Sequence, residues 1–148
     1  MTASVRDIMK KELYTIAASA SVQDTALLMN ELKVSSLLIV DKDGNPVGLV
    51  TERDLARKVC VKDIRTSQIS NKEIMSSKLI TIDSKSSTSA TIDLMLKNKV
   101  RHLLVVDNDS IHGGKPIGIV TPFDLMRYED YPREERNDVL EMLLEYYI

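Results

Sequence analysis

What this chain lacks narrows its function before any motif is read. Among 148 residues there is one cysteine, Cys60, so no internal disulfide can form. That fits a reducing compartment, and the expected location is the cytoplasm. Two histidines, His102 and His112, and that one cysteine are scattered and make no metal constellation. No Ser-His-Asp or Cys-His set is present either, so no catalytic residue is assigned and the chain is read as a non-enzyme. Long apolar runs are missing too. The longest are four or five residues, too short to span a membrane, and the opening MTASVRDIMKK has no apolar core of a secretion signal. Charge of one sign is missing as well: 20 basic residues stand against 22 acidic ones, which gives no electrostatic reason to expect nucleic acid as the main partner. The length suits one domain, or two small ones sharing a core.

What is present is a repeat. Leu37 to Leu55 (LLIVDKDGNPVGLVTERDL) and Leu103 to Leu125 (LLVVDNDSIHGGKPIGIVTPFDL) both read as apolar run, Asp, polar turn, second apolar run, then Thr-x-x-Asp-Leu. Short Val/Ile/Leu runs around a turn are the pattern of a hairpin of buried strands. Thr51 and Thr121 then read as helix N-caps, with Asp54 and Asp124 three residues on. A helix N-terminus at the end of a buried strand is a ready place for an anion. The copies extend upstream. Asp7 to Ile16 (DIMKKELYTI) aligns with Glu73 to Ile82 (EIMSSKLITI) at an offset of 66, and Ser21, Met29 and Val34 match Ser87, Met95 and Val100. The offset becomes 70 only after the turn, where Gly48 matches Gly118. Duplication on this scale outranks any single motif.

In chain order, VRDIM reads as a helical turn and Tyr14-Thr15-Ile16 as a short strand. Ser21 and Asp24 open a helix with apolar residues at helical spacing, ending near Lys33. Asp43-Gly44 with Pro46 makes a compact turn, and a helix from Glu52 to about Cys60 closes the first copy. Residues 1–60 form the first domain, 61–71 a polar linker, 72–128 the second domain and 129–148 a C-terminal helix. The second copy carries a helix near Ser89–Lys97, strands at Leu103–Val106 and Ile117–Val120, and a longer turn. Pro132 suits a first helical turn, and Val139, Leu140, Leu143, Leu144 and Tyr147 form a wide apolar face that packs on its own core or on a partner. Met9, Met29, Met75 and Met95 recur at matched positions and read as core. Cys60 reads as buried filler and His112 as solvated.

The β–α–β–β–α order, together with Gly-hydrophobic-x-Thr-x-x-Asp present twice as GLVTERD (48–54) and GIVTPFD (118–124), resembles a tandem pair of CBS domains, or Bateman module. The resemblance covers roughly residues 4–128. It implies an α/β (α+β) fold of two subdomains, each a three-stranded sheet with two helices, related by a pseudo-twofold axis. It also implies a regulatory module that binds adenosine-containing molecules (AMP, ADP or ATP) in clefts between the subdomains and signals to a separate protein. No cofactor is required, and the adenine nucleotide is a regulatory ligand. A homodimer is expected, because such modules commonly pair through their helices.

The same resemblance implies two sets of nucleotide contacts. In the first copy these are Thr15, Ile16, Val34, Thr51, Arg53 and Asp54. In the second they are Thr81, Ile82, Val100, Arg101, His102, Thr121, Pro122 and Asp124. Asp54 and Asp124 match the family's ribose-binding Asp, and an ionised carboxylate, acceptor-only with two oxygens, can take both ribose hydroxyls. Thr51 and Thr121 match a hydroxyl that donates to phosphate. Ile16, Val34, Ile82 and Val100 would wall an adenine slot. Arg101 and His102 are matched to phosphate, in the reverse of the His-Arg order of nucleotide-sensing members. Ser35 and Ser36 stand there in the first copy, so the two sites are not equivalent. Arg53 brings a charge that Glu52 opposes, and Pro122-Phe123 brings none. The rival readings are an assembly protein with vestigial clefts, an S-adenosylmethionine binder and a nucleic-acid binder.

Overall fold

The structure, a computed structural model, describes residues 3–108, 115–127, 137–142 and 144. The chain divides into two compact units, Tyr14–Leu79 and Met1–Leu13 with Ile80–Ile148. Each holds one three-stranded sheet, in the order β1-β2-β3 or β4-β5-β6.

In the first-sheet unit, β1 (Thr15–Ala17) lies parallel to β2 (Ser36–Val40), which is antiparallel to β3 (Pro46–Thr51). Parallel neighbours need a crossover, and α2 (Val22–Leu32) supplies it. The Ser21 hydroxyl caps α2 by accepting the Asp24 N–H at 3.0 Å. The helix stops at Lys33, which adopts the left-handed conformation (φ 55°), and the Val34 N–H turns back to the Met29 carbonyl at 3.1 Å. The chain so aimed enters β2, whose Leu37, Leu38 and Ile39 are buried. Asp41 organises the hairpin turn: its carboxylate accepts the N–H groups of Asp43 (3.0 Å) and Asn45 (2.9 Å), while Gly44 takes φ +81°.

The second-sheet unit repeats this plan. β4 (Thr81–Asp83) is parallel to β5 (Leu103–Val106), β5 is antiparallel to β6 (Pro116–Val120), and α5 (Thr88–Asn98) crosses over, ending on left-handed Lys99. Its core includes Ile92, Met95, Leu103, Val105, Val120 and Leu125. Met29 and Met95 are buried, and Met9 and Met75 pack partly buried against the cores, as their recurrence implied.

The units are cut differently from the sequence repeats, because each copy's leading segment is counted with the other copy's sheet. α4 (Asn71–Ile74) belongs to the first-sheet unit: the Asn71 N–H donates to Ala20 O (3.0 Å) and the Lys72 N–H to Ala18 O (3.1 Å). α1 (Val5–Ile8) belongs to the second: the Val5 N–H donates to Ser86 O (2.9 Å) and the Arg6 N–H to Ser84 O (3.0 Å). After α4 the chain pairs with the outer edge of β3, where Leu49 and Ser76 exchange two backbone hydrogen bonds of 2.9 Å. Lys10 and Ile119 do the same on β6, at 2.8 and 3.0 Å. This close approach explains the glycine of each heptad. A Cβ on Gly48 would stand 2.5 Å from Met75 Sδ, and one on Gly118 would stand 2.5 Å from Met9 Sδ and 2.8 Å from the Lys10 carbonyl.

Four expectations change. The helix at 52–60 is α3 (Glu52–Asp54) running into a π-helix, Leu55–Cys60, in which the Val61 N–H reaches the Ala56 carbonyl at 3.1 Å. The wider turn puts Val59 into the core, and Cys60, next along, is consequently exposed rather than buried. Residues 61–71 do more than connect. They contain a 3₁₀ turn (Thr66–Gln68), bury Ile69, and place Asn71 fully inside, where its amide oxygen accepts from Thr25 Oγ1 (2.6 Å) and its nitrogen donates to Ala17 O (3.0 Å). At the C-terminal side, residues 137–142 are helical and Val139 and Met142 enter the second-sheet core, while Leu140 and Leu144 are exposed. The readings of His112, Pro132, Leu143 and Tyr147 lie outside the described residues. No helix among the described residues is long and apolar enough to cross a membrane.

The glycine contacts make a test. Gly118→Ala should lower unfolding stability by ~1–3 kcal/mol, the scale of overpacking against a backbone that cannot yield, read as a fall in the urea midpoint at unchanged m-value. Gly44→Ala meets no atom within 4 Å, so its cost should be confined to the strain of its positive φ.

Candidate functional site

β3 ends on Thr51, whose extended backbone (φ −117°, ψ 165°) turns the chain into α3. Thr51 and Asp54 close a reciprocal cap there. Thr51 Oγ1 accepts the Asp54 N–H at 3.3 Å; Asp54 Oδ2 accepts the Thr51 N–H at 2.9 Å and its hydroxyl at 3.2 Å. The other oxygen, Oδ1, faces the Lys58 ammonium at 3.1 Å. Ser36, at the start of the central strand, pairs with Thr51, and the Glu52 N–H donates to Ser35 O at 3.0 Å. Thr51, Arg53 and Asp54 are all half-buried around this strand end.

The second copy builds the same cap from β6 and α6 (Pro122–Met126). Asp124 Oδ2 accepts the Thr121 N–H at 2.8 Å and its hydroxyl at 3.1 Å, and Oδ1 pairs with Arg127. Two differences follow from sequence. Pro122 has no N–H to repeat the Glu52 bond. Continuing the β5–β6 register by one residue brings His102 opposite Thr121, where the first copy has Ser36. The Asp124 side chain is also only 1% exposed against 15% for Asp54.

The expected site residues fall into three groups. Thr51, Arg53 and Asp54 share one turn, as do Thr121, Pro122 and Asp124, with Val34 just ahead of the central strand β2 and Val100, Arg101 and His102 just ahead of β5. Thr15 and Ile16, and Thr81 and Ile82, sit on the opposite edge of each sheet: Thr15 pairs with Leu38, and Leu38 with Leu49. Two strand spacings, roughly 10 Å, separate that edge from the Thr-x-x-Asp turn. Thr15 and Thr81 are exposed there, and Ile16 is half-buried. Ile82 is buried in the same core cluster as Ile92, Met95 and Val105, and Ile16 and Val100 pack partly buried against the cores of their units.

Sequence reasoning missed the two cations. Lys58 lies four residues after Asp54 and Arg127 three after Asp124, the spacings at which helical side chains meet, so the signal was present. Both Asp side chains already cap and pair within their own turns. Each carboxylate nonetheless has about four acceptor positions, of which three are taken, two on Oδ2 and one on Oδ1. What remains is one acceptor position beside a cation. Among the described residues no group of three or more His, Cys, Asp or Glu is placed to hold a metal ion.

The chain is similar to known proteins in sequence and in fold. A CBS-domain family model matches residues 5–60 and again 72–131. An uncharacterized protein of Methanopyrus kandleri is 30% identical over 128 residues, covering 86% of this chain and 63% of its own length. A conserved CBS-domain protein of unknown function from Thermoplasma acidophilum superposes with a TM-score of 0.81 at 26% identity, over 96% of this chain and 76% of its own. A hexameric CBS-CP12 protein from bloom-forming cyanobacteria gives a TM-score of 0.77 at 25% identity, over 88% and 70%. The chain spans 62–63% of the length of the first two curated relatives it matches.

The buried cap should carry stability without any ligand. Asp124→Ala removes the one oxygen that accepts both capping bonds from Thr121, together with the ion pair to Arg127, and should cost ~1–3 kcal/mol. Asp54→Ala, whose carboxylate is more exposed, should cost ~1 kcal/mol. Denaturant unfolding of the two variants checks the order.

Proposed function

The chain belongs to the CBS-domain family, whose domains are generally regulatory, ligand-binding modules, and we propose that it binds an adenosine-containing ligand and reports the binding to a separate protein. The observation that carries this reading is the doubled Thr-x-x-Asp cap. Each copy holds a carboxylate with a remaining acceptor position at the end of a sheet edge strand, which is chemistry suited to a ribose hydroxyl. The roughly 10 Å from that carboxylate to the far edge strand is the reach of a nucleoside, with ribose on Asp54 and the base toward Ile16 and Val34. The module is a non-enzyme in this reading, without resident metal or cofactor.

The ligand we favour is AMP, ADP or ATP over S-adenosylmethionine. Phosphate recognition falls to side chains, because α3 and α6 are only three and five residues long and Pro122 gives no N–H. Arg101 supplies a permanently charged fork of donors that matches phosphate oxygens, with His102 beside it. A sulfonium would be repelled by the same guanidinium.

Self-assembly accompanies binding in this proposal. Leu27 on α2 and Leu96 on α5 are exposed, as are Phe123 and Met126 on α6. Exposed apolar groups on these helices suit a homodimer burying about 2,000 Å² in all, and the hexameric relative shows that proteins of this kind can associate.

Two measurements test the reading. A true ligand at 100 times its Kd should add ~2.7 kcal/mol of stability, so a thermal-shift panel should show AMP, ADP or ATP raising Tm, with S-adenosylmethionine and 2′-deoxy forms weaker. Arg101→Ala should then lose phosphate-ligand affinity with little change for adenosine; equal affinities in both proteins would assign Arg101 no ligand role. Light scattering should return twice the 16.6 kDa chain mass, and a monomer at micromolar concentration removes the dimer.

A further inference from the structure

Lys58 makes two contacts that reach different parts of the first-sheet unit. Its ammonium lies 3.1 Å from Asp54 Oδ1 and donates to the Ile74 carbonyl at 2.8 Å. Ile74 is the last residue of α4, and the strand pairing of Ser76 with Leu49 follows two residues later. The same segment leads through Leu79 into Ile80, where the chain passes into the other unit. Lys58 can stand there because it rides on the π-helix, which also turns Val59 into the core. The place corresponding to Lys58 in the second copy is held by Tyr128, which carries no ammonium to repeat the contact.

Acceptor capacity makes the bridge conditional. The Asp54 carboxylate has about four acceptor positions. The Thr51 N–H and hydroxyl fill two on Oδ2, and Lys58 fills one on Oδ1. A ribose brings two hydroxyl donors, making five donors for four positions, so one must leave. The Thr51 N–H is backbone, held by the cap, and the Thr51 hydroxyl is packed into the same turn. The Lys58 side chain is 43% exposed, and its ion pair is of the weak, solvent-screened kind. Water can replace its partners, whereas nothing replaces the cap.

From this we infer that Lys58 is a ligand-displaced tether: a vicinal diol on Asp54 expels the ammonium from Oδ1 and thereby loosens α4 and the Leu49–Ser76 pairing. The inference rests on the diol-binding reading of Asp54 given above. Once the carboxylate is withdrawn, Lys58 keeps a single neutral carbonyl partner. Both contacts have an ionised donor, but only the one to Asp54 joins opposite charges; with it gone the half-exposed ammonium is held by one carbonyl, and water competes for both groups. A signal that begins as a hydroxyl at Asp54 then reaches the strand edge and the segment leading to Ile80.

Hydrogen exchange with adenosine as the probe tests this, since adenosine carries the diol without phosphate. The reporters are the N–H groups of Met75 and Ser76, bonded to Asn71 O (2.8 Å) and Leu49 O (2.9 Å). Adenosine should speed their exchange several-fold in the wild-type chain. 2′-Deoxyadenosine brings one hydroxyl, which fits the remaining position, and should leave the rate unchanged at saturation. Lys58→Met should exchange fast at both amides with no ligand, respond no further to adenosine, and bind it about two- to fivefold more tightly. Adenosine binding with unchanged or slowed exchange in the wild type overturns the tether, as does weaker adenosine binding by Lys58→Met. If neither protein binds adenosine, the diol reading of Asp54 falls. The bridge is then judged on the ligand-free comparison, where equal exchange at Met75 and Ser76 in the two proteins overturns it.

Discussion

The structure depends on how the outer edge of each small sheet is closed. A three-stranded sheet leaves β3 and β6 with a row of unpaired backbone groups. Here a single residue, Ser76 or Lys10, takes up both hydrogen-bonding groups of its partner, Leu49 or Ile119. The crossing chain passes so near that the neighbouring strand residue must be glycine, Gly48 or Gly118. Three residues after that glycine stands the capping threonine. The closure therefore fixes where the strand stops, where the helical turn begins and where the carboxylate points. Gly-hydrophobic-x-Thr-x-x-Asp is thus a structural sentence before it is a binding motif.

On this shared plan the two copies have become unequal in ways that charge and hydrogen bonding explain. Asn71 is buried with Thr25 in the first-sheet unit, whereas the matching position in the second holds Val5, and Thr91 turns its hydroxyl back onto Ser87 O at 2.8 Å. Asp124 is sealed in its turn by Arg127, while Asp54 keeps more contact with solvent. Ser84, fully buried, donates to Asp107, which also pairs with Arg6 at 3.3 Å; the first copy has Ala18 at the place of Ser84. The same sheet plan thus carries different electrostatics at corresponding points.

Much of this was legible in the residues. The Val/Ile/Leu runs, the Ser21 cap and the Thr-x-x-Asp turns are local signals, and the structure places them as read. The π-helix was hidden, because Leu55–Cys60 has a composition any α-helix tolerates and its register is set by where Val59 and Lys58 find partners. The stretch 61–71 looked like a linker because its anchors, Ile64, Ile69 and Asn71, have no helical or strand period. The assignment of α1 and α4 to opposite sheets was beyond reach, since each segment is equally similar to the other and only tertiary contact tells them apart.

That reciprocal lending of α1 and α4 bears on where the chain can be divided. A single repeat made by itself would have a leading segment and a sheet, but in this arrangement the two do not serve each other. Two separate copies could complete one another by trading those segments, and joining them end to end turns the trade between molecules into one within a chain. A half-length piece cut at the repeat boundary therefore corresponds to half of a pair rather than to a domain.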